Sequence, residues 1–332
     1  MAACDGGKVS TRAGHEGKGR VSRFDELRDY ALWAVGLKAA RLPAVRASWL
    51  TARFVKEYLL WTVAPLPFVV PWLAWLGARG ALVDALFPGS WDAAFGARLD
   101  ANCRLWLSSY GAAFLWYHGA RLVPRWRALK YDARCPDPRF VAEEAARSLG
   151  GIVVLTVMQL GYARVRGPAG PAAVPPVSHL AAGALTIMLW ADLHFYATHR
   201  LLHTPRLFRA IHRTHHRSHN VDPFSGLSMH PLEHLLYFSA FLLPGLPFWT
   251  ANLVSVVMVV WPIPAHLGYG PFDKHHWDHH TRFNYCYGSS MLWDELLGTA
   301  APDRGAKATS AAAARRAAEA RAQRALVLAD AE

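Results

Sequence analysis

Cysteine is scarce in this chain: Cys4, Cys103, Cys135 and Cys286 are the only four among 332 residues. None forms a C-x-x-C pair, which excludes a disulfide framework and a ribbon-type zinc site and makes a reducing, cytosol-facing setting the simplest reading. Charge is also thin, at 18% Asp, Glu, Lys and Arg against 53% hydrophobic residues. That balance points away from a soluble globule and toward a membrane. The first 30 residues mix basic and acidic side chains without a continuous apolar stretch, so no cleavable signal or transit peptide is expected. H-E-x-x-H is missing, which argues against a zinc metalloprotease, and no internal repeat suggests a solenoid.

Histidine, by contrast, is abundant and clustered. There are 17, and 14 of them fall between His194 and His280. The formal charge is +12. Its Arg and Lys residues lie between apolar runs instead of forming one dense face, so the cytoplasmic loops of a membrane protein explain the charge better than a nucleic-acid partner does.

Several uncharged runs are candidates for the membrane. Tyr58 to Ala78 has 21 residues, the length of one span, with Pro65, Pro67 and Pro71 predicting a kinked or re-entrant course. Leu105 to Ala120 and Ser148 to Ala163 have 16 each, near the lower limit for a span. Leu180 to Ala191 leads directly into the first histidine cluster. From His234 to Phe272 there are 39 residues without a formal charge, broken at Pro244-Gly245-Leu246-Pro247. That length suits a helical hairpin whose arms enter and leave on one side, which would bring the clusters before and after it to a common face. Arg200, Arg206, Arg209, Arg213 and Arg217 put that face in the cytosol. The expected fold is therefore all-α and integral to the membrane, a bundle of about four or more transmembrane or re-entrant helices with a cytosolic helical cap carrying the histidines. Its divisions are a disordered tail over 1–30, membrane or interfacial helices over 31–175, a catalytic domain over 176–302, and an Ala/Arg-rich tail over 303–332 to which no function is assigned.

Three histidine groups stand out: His199 with His203, His212 with His215 and His216, and His276 with His279 and His280. At about 100° per residue, positions i, i+3 and i+4 share a helix face, so each group aims its imidazoles into one space. Eight nitrogens exceed what one tetrahedral zinc requires, and two metal ions are the economical reading. Asp192, seven residues before His199, shares its helical face and is expected to orient a ligand imidazole or to bind metal directly. Tyr196, four residues further on, joins it as a candidate catalytic residue. His194, His219, His230, His234 and His275 are candidates for hydrogen bonding or an outer shell. Glu233 and Asp278 are expected to support ligands.

These residues resemble the fatty acid hydroxylase/sterol desaturase superfamily of membrane di-iron enzymes. The resemblance spans about Leu189 to Thr299: D-L-H-F-Y-A-T-H-R-L-L-H from Asp192, H-R-T-H-H from His212, M-H-P-L-E-H around His230, H-H-W-D-H-H from His275, and W-D-E-L-L-G-T from Trp293. It implies a ligand set of His199, His203, His212, His215, His216, His276, His279 and His280, with His266 in P-A-H-L-G-Y as a ninth. It implies two iron ions, with zinc a possible occupant on isolation, and O2 as co-substrate. It also implies that Trp277 and Trp293 line a lipid channel. The implied reaction is oxidation of a lipid C–H bond in sterol or lipid biosynthesis, with sterol C-5 desaturation favoured by H-R-L-L-H followed closely by H-R-T-H-H. A 4-methylsterol monooxygenase and a fatty acid hydroxylase are the alternatives, and a membrane metal transporter or metal-binding protein is the alternative of another class. Implied partners are a sterol or fatty acyl substrate and a membrane electron donor such as cytochrome b5 with its reductase, and the implied location is the endoplasmic reticulum. Where relatives usually carry Asn-Tyr-Gly after the third box, this chain has Cys286-Tyr287-Gly288.

Overall fold

The computed structural model describes residues 63–301 apart from 93, 169, 271 and 273, together with 318 and 320–327. The tail read over 1–30 lies outside the described residues. Among those described there is no strand, only one isolated bridge between Lys130 and Tyr269. The chain is an all-α membrane protein: Pro138–Arg166, Val177–Leu202 and Phe248–Ala265 are each long and apolar enough to cross a bilayer.

In chain order the principal helices are α1 (Leu66–Gly77), α2 (Phe95–Leu122), α3 (Pro138–Arg166), α4 (Val177–Leu202), α5 (Pro231–Phe238), α6 (Phe248–Val260), α7 (Lys274–Arg282) and α8 (Leu292–Leu296). Helix α1 packs on α2, α2 on α3 and α6, and α3 on α5. The short α1 contains Pro71. At 28 residues α2 is long enough to span, yet Arg98, Asp100 and Arg104 occupy its first half.

With no water to satisfy polar groups inside an apolar bundle, those that are buried must find one another. Asn102 of α2 donates to Thr156 Oγ1 and Gln159 Oε1 of α3 at 2.9 and 2.8 Å. Gln159 in turn donates to Ser255 Oγ of α6 at 3.0 Å. Tyr110 reaches the Val259 carbonyl at 2.9 Å and Tyr237 the Met258 carbonyl at 3.0 Å. These bonds fix α2, α3, α5 and α6 as one unit behind the histidines.

The expected hairpin is present with unequal arms. Its first arm is α5 continued by a 3₁₀ turn, Ser239–Leu242, and Gly245 adopts φ +83° at the break. Helix α6 and the turn Pro262–Ala265 form the second arm. The first arm runs for only 12 residues, about 18 Å at 1.5 Å each. It is too short to cross, whereas the second arm, Phe248–Ala265, is long enough to do so.

Two π-helical segments, Ile187–Ala191 and Phe208–His212, lie just before the first and second histidine boxes. A π turn inserts one residue into the helical register and re-aims the side chains beyond it. Helix α4 carries its first π segment immediately before Asp192, and the second segment ends on His212 itself.

Candidate metal centre

All nine predicted histidines are buried, none more than 3% exposed, and their ligand atoms converge in two groups. His199, His203, His212, His216 and His279 form one; His215, His266, His276 and His280 form the other. The boxes divide between the groups in a regular way. His212 and His216 sit at i and i+4, about 40° apart on a helix, and face the first group, while His215 between them faces the second. In α7 the same rule is inverted: His276 and His280 face the second group and His279 the first. Each H-x-x-H-H box therefore links both groups, rather than aiming its imidazoles into one space.

Within the first group the Nε2 atoms of His203, His212 and His216 form a triangle with sides of 3.0, 3.1 and 3.1 Å. His279 Nε2 lies 3.2 and 3.1 Å from those of His203 and His216, and His199 Nε2 is 3.1 Å from that of His212. In the second group His266 Nε2 is 3.1 Å from His280 Nε2 and 3.2 Å from His276 Nε2. Partners at Nδ1 settle which nitrogens carry lone pairs. His199, His279 and His266 donate Nδ1–H to the carbonyls of Tyr287, Tyr285 and Pro262 at 2.7, 2.6 and 2.7 Å. A carbonyl can only accept, so Nε2 of each must point a lone pair into its group. Lone pairs crowded in this way need a cation between them.

Spacing also tests the kind of cation. Edges of about 3.1 Å belong to an octahedral or square-pyramidal set with bonds of about 2.2 Å, whereas a tetrahedron with those edges needs bonds of about 1.9 Å, shorter than zinc–imidazole distances. Five donors in one group also exceed a tetrahedral site. The residues thus fit one ion in each group, with more than four donors in the first.

Electrostatics keep the donors in their ligand form. Burial pushes His212, His216, His276, His279 and His280 well below the ordinary imidazole range, and neighbouring imidazoles push them further. Burial takes His215 down to about 4 and His266 to about 3. The supporting carboxylate is Glu233, as expected: His212 Nδ1 and Glu233 Oε1 are 2.6 Å apart and both buried. Gly226 permits the close approach on the other side, where a Cβ would lie 2.7 Å from Pro262 Cβ and 3.2 Å from His266 Nδ1.

The other expectations are redistributed. Asp192 touches no imidazole in the way predicted. Its carboxylate accepts from Ser289 N and Ser290 N, both at 3.0 Å, and from the Ser290 hydroxyl. It therefore holds the loop whose Tyr287 carbonyl fixes His199, and acts one step removed. Tyr196 is bound by Arg200 at 2.7 Å and Thr299 at 3.1 Å, and Thr299 bonds Asp294, which receives the Tyr287 and Gly288 amides. It braces the same loop from behind. Arg200, read as a surface charge, is buried. His275 pairs with Asp294 at 3.0 Å, His194 bonds Ser239 at 2.9 Å, and His230 caps α5 by accepting from Leu232 N at 3.2 Å. His234 stacks on Phe238, and His219 joins neither group. Asp278 lies 3.8 Å from Arg282, and Trp277 packs against Tyr131.

A cavity opens onto both groups. His199, His212, His215, His266 and His276 touch it, and its walls are mostly apolar, including Phe195, Leu202, Met229, Tyr237, Trp261 and Pro262. Tyr196 does not line it. Trp261 and Tyr237 take the place expected of Trp277 and Trp293.

A helical membrane scaffold with a buried polyhistidine centre defines the class. Comparison with known proteins narrows it: residues 184–299 match the fatty acid hydroxylase family. Lathosterol oxidase of Rattus norvegicus is 30% identical over 136 residues, 36% of this chain and 46% of that protein. The Delta(7)-sterol 5(6)-desaturase of Saccharomyces cerevisiae is 31% identical over 126 residues, 34% of each chain. Fatty acid hydroxylase domain-containing protein 2 of Homo sapiens is 32% identical over 117 residues, 32% of this chain and 35% of that one. The matched segment spans less than half the length of these relatives, and no solved structure matches. Over its segment 184–299 the chain is similar to the fatty acid hydroxylase/sterol desaturase superfamily.

Proposed function

We propose that the protein is a membrane di-iron oxidoreductase that uses O2 to oxidise a C–H bond of a lipid, with sterol C-5 desaturation the leading assignment. The observation that carries this reading is one apolar cavity touching both histidine groups. The nine histidines are the ligands: His199, His203, His212, His216 and His279 for one ion, His215, His266, His276 and His280 for the other. Iron with O2 supplies the oxidising power that no side chain has. The chain's own residues do the rest. Carbonyls of Tyr285, Tyr287 and Pro262 hold three imidazoles in the ligand tautomer, Glu233 holds a fourth, and the cavity walls exclude water and bind the hydrocarbon.

His212 and His215 are three residues apart, face different groups and both reach the cavity, so a single substrate carbon can approach both ions. This juxtaposition supports oxidation at one carbon. The sterol assignment draws on the lathosterol oxidase and sterol desaturase relatives. A fatty acyl or 4-methylsterol substrate would use the same ligands in a different pose. The boxes are assigned to the cytosolic face of the endoplasmic reticulum. The exposed Arg206 and Arg209 suit docking of an acidic electron donor such as cytochrome b5.

Lipid mass spectrometry of cells expressing the wild type and His215→Ala tests the activity. A lipid present only with the wild type, differing from its precursor by two hydrogens or one oxygen, is expected. Identical lipid profiles would refute the enzymatic reading.

A further inference from the structure

The segment after residue 302 reads in sequence as a tail without a role. Its described part is a helix over 320–327, and its burial is periodic: Ala320, Gln323 and Val327 are buried while Arg321, Ala322, Arg324 and Ala325 are exposed. A helix that buries one stripe has a partner beneath it. Here the partner is the back of the five-histidine group. Ala320 and Val327 pack with Phe208 and Phe283 as a small core of their own. Those two rings lie directly on the imidazoles: Phe283 stacks on His216 at 4.7 Å with 24° between planes, and Phe208 lies 5.5 Å from both His203 and His216. Gln323, the polar member of the stripe, donates to the His203 backbone carbonyl at 2.8 Å across 120 residues.

The two imidazoles covered in this way are the ones least held by other means. His199, His212 and His279 are each fixed through Nδ1, whereas Nδ1 of His203 and of His216 has no hydrogen-bond partner among the described residues. The contacts made by Ala320, Gln323 and Val327 fall on the side of the five-histidine group.

We propose that the C-terminal helix is a cap that retains one of the two metal ions, with Gln323 positioning His203 and the Ala320/Val327 stripe pressing Phe208 and Phe283 onto the box. The inference rests on the two-ion reading of the site. It makes the ions unequal: the one in the five-histidine group is held by a segment distant in sequence, and the other is indifferent to it.

The test uses the full-length protein purified with ferrous iron, following release of iron to excess EDTA in wild type, Gln323→Ala, Ala320→Asp and, as a control on the exposed face, Arg324→Ala. In Gln323→Ala and Ala320→Asp one ion per chain is expected to leave about 10–100-fold faster, the range for loss of a group that supports a ligand. The second ion should leave at the wild-type rate, and Arg324→Ala should match wild type. Wild-type release from both capping variants, or equal acceleration of both ions, would overturn the proposal. If Ala320→Asp fails to fold, Gln323→Ala decides alone, since it removes one hydrogen bond and introduces no charge. A wild type holding a single ion refutes the two-ion reading separately, and Gln323→Ala still decides the cap by whether that ion is released faster.

Discussion

Removing Glu233 should loosen one ion and spare the other. Its Oε1 sits 2.6 Å from His212 Nδ1 in a buried pair. One proton shared between Nδ1 and Oε1 leaves the His212 Nε2 lone pair turned into the five-histidine group. Glu233→Ala strands Nδ1 in an apolar wall and takes away the charge that makes the imidazole a stronger donor. Supporting groups of this kind are worth about 10–100-fold in metal affinity, or about 1.4–2.7 kcal/mol. Glu233→Gln keeps an acceptor in place without the charge, and neutral hydrogen bonds have roughly half the strength of charge-assisted ones, so its loss should lie near the lower figure. The assay is equilibrium competition for ferrous iron with a chelator of known affinity, resolved into two ions per chain. Affinity should fall for one ion only. Wild-type affinity for both ions in Glu233→Ala would refute the reasoning, as would weakening confined to the ion that His215→Ala releases.

Three further outcomes are expected from the geometry. Asp192→Asn should lower the thermal midpoint and weaken iron binding, because a buried carboxylate that accepts from Ser289 and Ser290 loses its charge, at about 1.5–3 kcal/mol; an unchanged midpoint would refute its bracing role. On α3, Gly150→Ala meets nothing within 4 Å and should stabilise by about 0.5–1 kcal/mol, whereas at Gly151 a Cβ would lie 2.3 Å from the His234 ring and should destabilise by about 1–3 kcal/mol, read by thermal unfolding in detergent. The metal-free protein should lose stability as pH falls. His215 and His266 have folded values of about 4 and 3, below the unfolded value of about 6.5, so the unfolded chain binds protons first and each imidazole removes about 1.6 kcal/mol between pH 6.5 and 5; a flat profile over that interval would show that the imidazoles are not buried neutral.

Local periodicity makes the donors legible. Spacings of three and four residues place imidazoles on one side of a helix whatever surrounds it, and the Pro-Gly break at 244–247 marks the hairpin that returns the chain. The same periodicity cannot say which imidazole joins which group, because that depends on where α7 lands relative to the second box. Nor can it find the partners of the site. Asp192 does share the His199 face, yet the loop at 289–290 lies about 97 residues away and fills that side first. Arg200 reads as a boundary charge because its neighbours are basic, whereas Tyr196 below it supplies a buried acceptor. Gln323 has no local signal beyond a helix-forming Ala/Arg stretch, since a stripe of Ala, Gln and Val is too weakly apolar to announce a partner.

The arrangement of exits bears on whether the ions are cofactors or cargo. A transporter must offer an ion a polar way in and a polar way out, with ligands that exchange for water. Here the nine donors are buried, and behind the first group lie Phe208, Phe283 and the C-terminal stripe. In front is the cavity, walled by Phe195, Leu202, Met229, Tyr237, Trp261 and Pro262. A hydrated dication entering along that wall would shed water against hydrocarbon, at a cost far above what surface ligands could offset. A hydrocarbon entering the same way sheds no such shell and arrives against both groups. The cavity therefore discriminates between the two readings through its walls more than through its histidines. A polar substitution there, such as Leu202→Asp, should speed iron exchange while abolishing lipid oxidation. Faster exchange with oxidation intact would mean that the lipid reaches the histidines by another route.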